Sequence, residues 1–396
     1  MKICILVQNL YSLGGIQRVV STVVNELIKD KIYEITVLMP FDENNKNEIY
    51  DLDKRIKIKN LNDIIINKTS VVSKIMRKFN KLTGLFDFFH CFNLIEKLTL
   101  SNKNKKKLID YLLIEKFDLA IGAGLFQTLQ LMILSRKSNI KIIGWMHSTY
   151  NSYFKTRGAL TFGYKNYFKK FSKNITKILV LSKKDAEDFK NELNVECITL
   201  YNPLDSSFFS GKSNVDNHKL LFVGRLDIQH KGLDYLLEIL EILDRRKFKY
   251  KLSIVGDGPD KKILNRMIIR KKLSDKIEVV GAKKNIIDYY NDSRILLVPS
   301  KYEGFGMVII EAMACGLPTI AFENNGPSEI INNQENGILV SRFDCDKFAE
   351  EIIDLYTNKG RWEYLSQKAK ERAKDFSDSV FCEKFKKLIS EGFVNE

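Results

Sequence analysis

The sequence predicts an α/β protein built from two doubly wound parallel-sheet domains. Three observations carry this. Short apolar runs recur along the 396 residues, several of them leading into a glycine-bearing loop and then a stretch of helical periodicity, the order of βα units in an open parallel sheet. The length suits two domains of ordinary size. A polar stretch from Ser206 to Asn217, entered through the Asn202-Pro203 turn, has the character of a linker. The expected organisation is a first domain at 1–205, a second at 206–377 and a closing helical segment at 378–396.

Lys2 to Val7 reads as a buried parallel strand. It leads into a loop carrying Gly14-Gly15 and then an amphipathic helix through Leu27. The glycine pair lets the backbone approach a ligand closely, or serves only as a tight turn; the residues themselves leave both open. Ile35 to Met39, Phe117 to Ile121 and Lys141 to Met146 read as further strands. His147 stands directly after the last of these, at the carboxyl edge where open α/β sheets bind ligands. A lone histidine is more often structural than catalytic, so its position alone does not assign it. Ile178 to Leu181 precedes Ser182-Lys183-Lys184-Asp185, a Ser-x-x-Asp helix cap.

The second domain opens with the strand Lys219 to Val223 and the loop Gly224-Arg225-Leu226-Asp227, with Lys231-Gly232 before a helix from Leu233. A guanidinium and an ammonium on one βα loop supply a fork and a point charge suited to a diphosphate; a plain surface cluster is the alternative. Ser253 to Pro259 contains Gly256-x-Gly258, but Pro259 and the lack of a third glycine argue against a dinucleotide fingerprint. Ile277 to Val280, Ile295 to Val298 and Pro318 to Phe322 continue the strands. Gly326 to Ile331 reads as a helix start and Asn336 to Val340 as a turn and strand, before helices at Asp346 to Tyr356, Gly360 to Lys374 and Asp378 to Ser390.

The stretch Leu296 to Pro318 organises this half. An apolar strand ends at Pro299, a loop holds Gly304-Phe305-Gly306, and an apolar helix from Met307 stops at Gly316-Leu317-Pro318. Free N–H groups and the positive end of the helix dipole point together at whatever sits on such a loop. Glu311 lies about one turn inside the helix, and helical side chains lean toward the N-terminus, so its carboxylate reaches back beside a bound phosphate. There it can accept hydrogen bonds from the diol of a nucleotide ribose. Glu303 sits in the loop, on the side where a sugar attached to the diphosphate would lie.

Composition excludes several classes. Six scattered cysteines without a Cys-x-x-Cys pair argue for reduced thiols and against a zinc site. The opening apolar run is too short for a signal peptide, and no run of ~18 apolar residues spans a membrane. Asp51-Leu52-Asp53 and Asp344-Cys345-Asp346 lie where a metal-dependent transferase has no use for them. The net charge of +15 asks for a partner among nucleic acid, anionic lipid and phosphorylated substrates. It concentrates from Lys68 to Asp110, where ten Lys/Arg face three acids, a net of +7, interleaved with Phe79, Phe86, Phe88, Phe89 and Phe92. A second patch, Tyr150 to Lys173, has six Lys/Arg, no acid and eight aromatic residues. Both suit an interfacial membrane contact, or a solvated helical surface.

The context Glu303-Gly304-Phe305-Gly306, four apolar residues, then Glu311-Ala312-Met313-Ala314-Cys315-Gly316-Leu317-Pro318 closely resembles the donor-site signature of retaining, nucleotide-sugar-dependent glycosyltransferases with the GT-B fold, family 4 type. Gly224-Arg225-Leu226-Asp227 with Lys231-Gly232 resembles the family's second signature, and the likeness runs through the C-terminal half. The resemblance implies two Rossmann-like domains facing a central cleft. It implies a nucleotide-sugar donor, a UDP-sugar in particular, with no further cofactor and no metal. Gly15, Arg225, Lys231, Glu303, Gly304, Phe305, Gly306, Met307 and Glu311 would bind the donor, the glycine loop lying across the cleft from the diphosphate. His147, in a Trp-x-His segment like the family's, would line the sugar pocket and with Arg225, Lys231 and Glu303 serve catalysis. The departing phosphate oxygen would help deprotonate the acceptor on the same face, and the last helix would cross back to brace the first domain.

The partners expected are a saccharide acceptor, lipid-linked and at the inner face of a bacterial cytoplasmic membrane in surface-polysaccharide or glycoconjugate synthesis, and an anionic membrane surface, with no nucleic acid. A soluble glycan or protein acceptor, and another GT-B enzyme such as a sugar-nucleotide epimerase, are the alternatives.

Overall fold

The structure, a computed structural model, describes residues 1–12, 14–42, 50–65, 70–135 and 140–391. Leu13 of the glycine loop, Lys68 at the head of the basic stretch, and the end of the expected closing segment, 392–396, lie outside these. The chain divides into two compact units, Met1–Tyr201 with Phe381–Glu396, and Asn202–Val380.

The strands of the first unit are β1 (Lys2–Leu6), β2 (Glu34–Met39), β3 (Lys57–Asn60), β4 (Leu119–Ala123), β5 (Lys141–Trp145), β6 (Lys177–Val180) and β7 (Ile198–Thr199). Among the described residues they form one parallel sheet in the order β3-β2-β1-β4-β5-β6-β7. Ile3 pairs with Ile35 on one side and Leu119 on the other. The inner strands are covered on both faces, which is why they read as unbroken apolar runs. The expected strand at Phe117 to Ile121 begins two residues later, at Leu119, with Phe117 buried just ahead of it. The edge strands β3 and β7 were not expected.

The basic stretch folds into helices at Val71–Thr83, Leu85–Phe88, Phe92–Thr99 and Asn102–Ile114. The second basic-aromatic patch is a correction: it is mostly core. Tyr150, Phe154, Tyr164, Tyr167 and Phe168 are buried, because large apolar rings gain more by packing under the helices than by facing water. Its lysines stay outside, with Lys155 and Lys165 both bonded to Glu192 at 2.9 Å. The final helix, Asp378–Glu391, packs on this unit from Phe381 onward. Phe381 and Phe385 lie with ring centroids 5.7 and 6.0 Å from Trp145, and Lys386 pairs with Asp30 at 2.6 Å.

The second unit contains β8 (Lys219–Val223), β9 (Lys251–Val255), β10 (Ile277–Gly281), β11 (Ser293–Val298), β12 (Thr319–Phe322) and β13 (Ile338–Val340). Among the described residues these too are parallel, in the order β10-β9-β8-β11-β12-β13. The order reverses between β8 and β11, and ligands of such sheets bind beyond the carboxyl ends of the strands at that switch point. The loops leaving β8 and β11 carry Arg225, Lys231 and Glu303. Topology alone therefore brings the two sequence signatures together.

Candidate active site

Close backbone contact sets the geometry of these loops. Asp227 caps the short turn Ile228–Lys231, accepting from the His230 N–H at 3.1 Å. The chain then bends at Gly232, whose φ is +63°, and a Cβ there would stand 1.9 Å from the Pro299 carbonyl oxygen. Only glycine allows that approach. On the other side, the N–H groups of Lys301 and Tyr302 donate to the His230 carbonyl at 2.9 and 3.1 Å. The two loops are thus stitched together, and Lys231 Nζ meets Glu303 Oε2 at 2.5 Å. Ser300 Oγ lies 3.3 Å from the same oxygen.

A third loop, after β12, supports Glu303. Its N–H donates to Asn324 Oδ1 at 3.1 Å, and Asn324 Nδ2 donates to the Ser300 carbonyl, also at 3.1 Å. Gly306, at φ +104°, turns the chain into the helix Met307–Ala314, whose first N–H groups have no partner inside the helix. Phe305 is buried, its ring 5.9 Å from that of Phe376, so this residue offers a ligand only backbone. Glu311 is 1% exposed, and the Tyr290 hydroxyl donates to its Oε2 at 2.7 Å. Arg225 is exposed and, among the described residues, makes no hydrogen bond through its side chain. Burial works against ionisation of Asp227, yet hydrogen bonds from His230 and the nearby Arg225 charge hold its carboxyl below its ordinary range.

Arg225, Lys231, Glu303, Gly304, Phe305, Gly306, Met307 and Glu311 therefore all belong to one neighbourhood of the second unit. Gly15 and His147 belong to the first unit. Gly15 is the first residue of the helix Gly15–Leu27, and Gly14 before it has an extended φ of 174° that other residues also adopt. His147 packs its ring 4.4 Å from Trp145. Both ring nitrogens are shielded and without a partner, and burial pushes the imidazole pKa down to about 3. It is neutral at physiological pH, so it can donate or accept a hydrogen bond but not act as a charged acid. Among the described residues no group of three or more His, Cys, Asp or Glu is arranged to hold a metal.

The sequence reading missed Asn324, Ser300 and Tyr290. Asn324 had a usable signal, a polar residue just past the carboxyl end of a buried strand. Tyr290 had none, since nothing local says which distant group its hydroxyl meets.

Lys231, Glu303 and the start of the Met307–Ala314 helix thus gather at the switch point of a parallel sheet, and the two sheets have the GT-B fold. The chain matches, over residues 205–372 of its second unit, the model of the family described as Glycosyl transferases group 1. It is 25% identical, over 99% of each chain, to the Campylobacter jejuni GalNAc-alpha-(1->4)-GalNAc-alpha-(1->3)-diNAcBac-PP-undecaprenol alpha-1,4-N-acetyl-D-galactosaminyltransferase. Its fold is similar to that of sucrose-phosphate synthase from Thermosynechococcus elongatus, with a TM-score of 0.80 at 17% identity over 100% of both chains. HepE from Anabaena, crystallised with UDP and glucose, gives a TM-score of 0.73 at 17% identity, covering 98% of this chain and 99% of that one.

Proposed function

We propose that the protein is a retaining glycosyltransferase that moves a sugar from a UDP-sugar to a lipid-linked saccharide in bacterial surface-polysaccharide or glycoconjugate synthesis. The observation that carries this is the stitched pair of loops, in which Lys231 meets Glu303 just ahead of the Met307–Ala314 helix and Arg225 stands on the same loop as Lys231. Two cations and a dipole end suit a diphosphate leaving group, whose charge grows as the glycosidic bond breaks. Because they supply that stabilisation, the reaction is metal-independent in this reading. Glu311 accepts from the ribose hydroxyls, and Glu303 orients the sugar. His147, by the family resemblance, is a neutral hydrogen-bond partner of the sugar, and Gly15 faces the donor through its backbone. The bond from the anomeric carbon to the phosphate oxygen breaks while the acceptor oxygen bonds on the same face. The departing phosphate oxygen takes the acceptor's proton, and UDP leaves.

UDP is supported by the HepE complex, and the lipid carrier by the undecaprenol-linked acceptor in the Campylobacter relative's name. No described helix is long and apolar enough to cross a membrane. In this reading the enzyme works peripherally at the inner face of the cytoplasmic membrane, held by its basic N-terminal stretch. The test is a panel of nucleotide sugars assayed for slow donor hydrolysis and for a melting shift with UDP. One UDP-sugar should be hydrolysed saturably, and UDP should raise Tm. No hydrolysis from any donor, together with no UDP shift, would remove the donor assignment.

A further inference from the structure

The Val71–Thr83 helix is built inside out. On a 100° wheel Val71, Val72, Ile75, Phe79 and Leu82 share one stripe, and this stripe faces solvent: Val71 is 72% exposed, Ile75 62% and Leu82 52%. The one buried residue of the helix is polar. Asn80 is 3% exposed, donates through Nδ2 to the Gly163 carbonyl at 3.1 Å and accepts from the Phe86 N–H at 3.1 Å. The helix is thus anchored to the domain by an amide while its apolar face points away. The next turn extends the same exposure, with Phe88 at 68% and Phe89 at 67%. A soluble surface rarely carries an apolar ridge of this length without something to cover it.

The charge around the ridge says what covers it. Lys74, Lys78 and Lys81 lie on the helix beside the stripe. The acids of the region do little to offset them, because Asp87 and Glu96 are buried. Asp87 accepts from the N–H groups of Asn166 and Tyr167 at 2.7 and 2.8 Å. Glu96 is taken by Lys105 at 2.6 Å and by the Tyr167 hydroxyl at 3.0 Å. Exposed apolar side chains flanked by uncompensated lysines match the headgroup boundary of an anionic bilayer, where the former insert and the latter meet phosphate.

We infer that the 71–89 ridge is a membrane wedge: Val71, Ile75, Leu82, Phe88 and Phe89 enter the outer part of an anionic leaflet, with Lys74, Lys78 and Lys81 against its headgroups. The inference rests on the peripheral-membrane reading above and narrows it from charge attraction to insertion at one place. The experiment is flotation with vesicles of phosphatidylcholine alone or with one quarter phosphatidylglycerol. It uses the full-length protein, the triple variant Ile75→Ser/Phe88→Ser/Phe89→Ser, and Lys103→Glu/Lys106→Glu/Lys107→Glu, which leaves the Lys105–Glu96 pair intact. All three serines replace exposed residues, so Tm and donor hydrolysis should match wild type while the bound fraction on anionic vesicles falls at least tenfold. A serine variant that floats like wild type, while the charge-reversed protein does not, overturns the wedge and keeps the membrane reading. No flotation of wild type on either vesicle overturns both. Loss of a wild-type dimer in the serine variant, by sedimentation equilibrium and without vesicle binding, assigns the ridge to a second copy and overturns the wedge.

Discussion

Replacing Glu303 by glutamine should tighten UDP binding while slowing sugar transfer. Glu303 holds Lys231 at 2.5 Å, with the two side chains 12% and 23% exposed, so a diphosphate that takes Lys231 must draw it from a carboxylate and then sit beside that charge. The pair is better shielded than the surface ion pairs worth ~0.2–1 kcal/mol. It is less buried than the charged hydrogen bonds worth ~1.5–3 kcal/mol. Removing the competitor and the repulsion together is therefore worth ~1.4 kcal/mol, about tenfold in Kd. Glutamine keeps the size of the side chain and can still accept from Ser300. Calorimetric titration with UDP, which lacks the sugar Glu303 would orient, reads the first effect; turnover with the full donor reads the second and should fall at least a hundredfold. UDP binding that is unchanged or weaker in Glu303→Gln would refute the competition and place the diphosphate away from Lys231.

Arg225→Ala and Lys231→Ala should each lower kcat more than they raise KM, since leaving-group charge peaks in the transition state; unchanged turnover removes the role of that cation. Transfer should persist in EDTA, and loss of activity restored by Mg²⁺ or Mn²⁺ would contradict a metal-independent site. Tyr290→Phe deletes the 2.7 Å bond to Glu311, a loss of ~1.5–3 kcal/mol that should appear both as a lower Tm and as weaker UDP binding. His147 has an ordinary pKa of 6.5 when unfolded and one pushed down to about 3 when folded. Between those values the unfolded chain binds a proton that the folded one lacks, so stability falls as pH drops below about 6.5, by up to ~2 kcal/mol at pH 5. His147→Asn should flatten the change in Tm between pH 7 and 5; an equal slope in both proteins would show that His147 is not the group responsible.

What could be read from the sequence followed from what is local. Inner strands such as Ile3 to Leu6 and Ile295 to Val298 are buried on both faces and so spell unbroken apolar runs. The edge strand Lys57-Ile58-Lys59-Asn60 has water along one side and spells nothing of the kind. The glycines and charges of the donor loops were legible because turn chemistry and phosphate recognition both write themselves into short segments. The bond between Lys231 and Glu303, 72 residues apart, was not, and neither was the Tyr290 contact beneath Glu311. Orientation was the harder loss. The aromatic residues from Tyr150 to Lys173 and the apolar stripe from Val71 to Leu82 are both interleaved with lysines, yet the first is largely core and the second faces water. Periodicity says that residues share a face; it does not say what that face meets.

The chain leaves its first unit at Tyr201 and returns to it at Phe381, so order of synthesis and order of completion differ. Trp145, at the end of β5, finds Phe381 and Phe385 only when the last helix emerges. During translation the second unit can therefore close while the first still lacks part of its aromatic core. A fragment ending near Tyr201 would carry an uncovered tryptophan rather than a finished domain. An extension or truncation at the far C-terminus acts on the unit that holds the N-terminus.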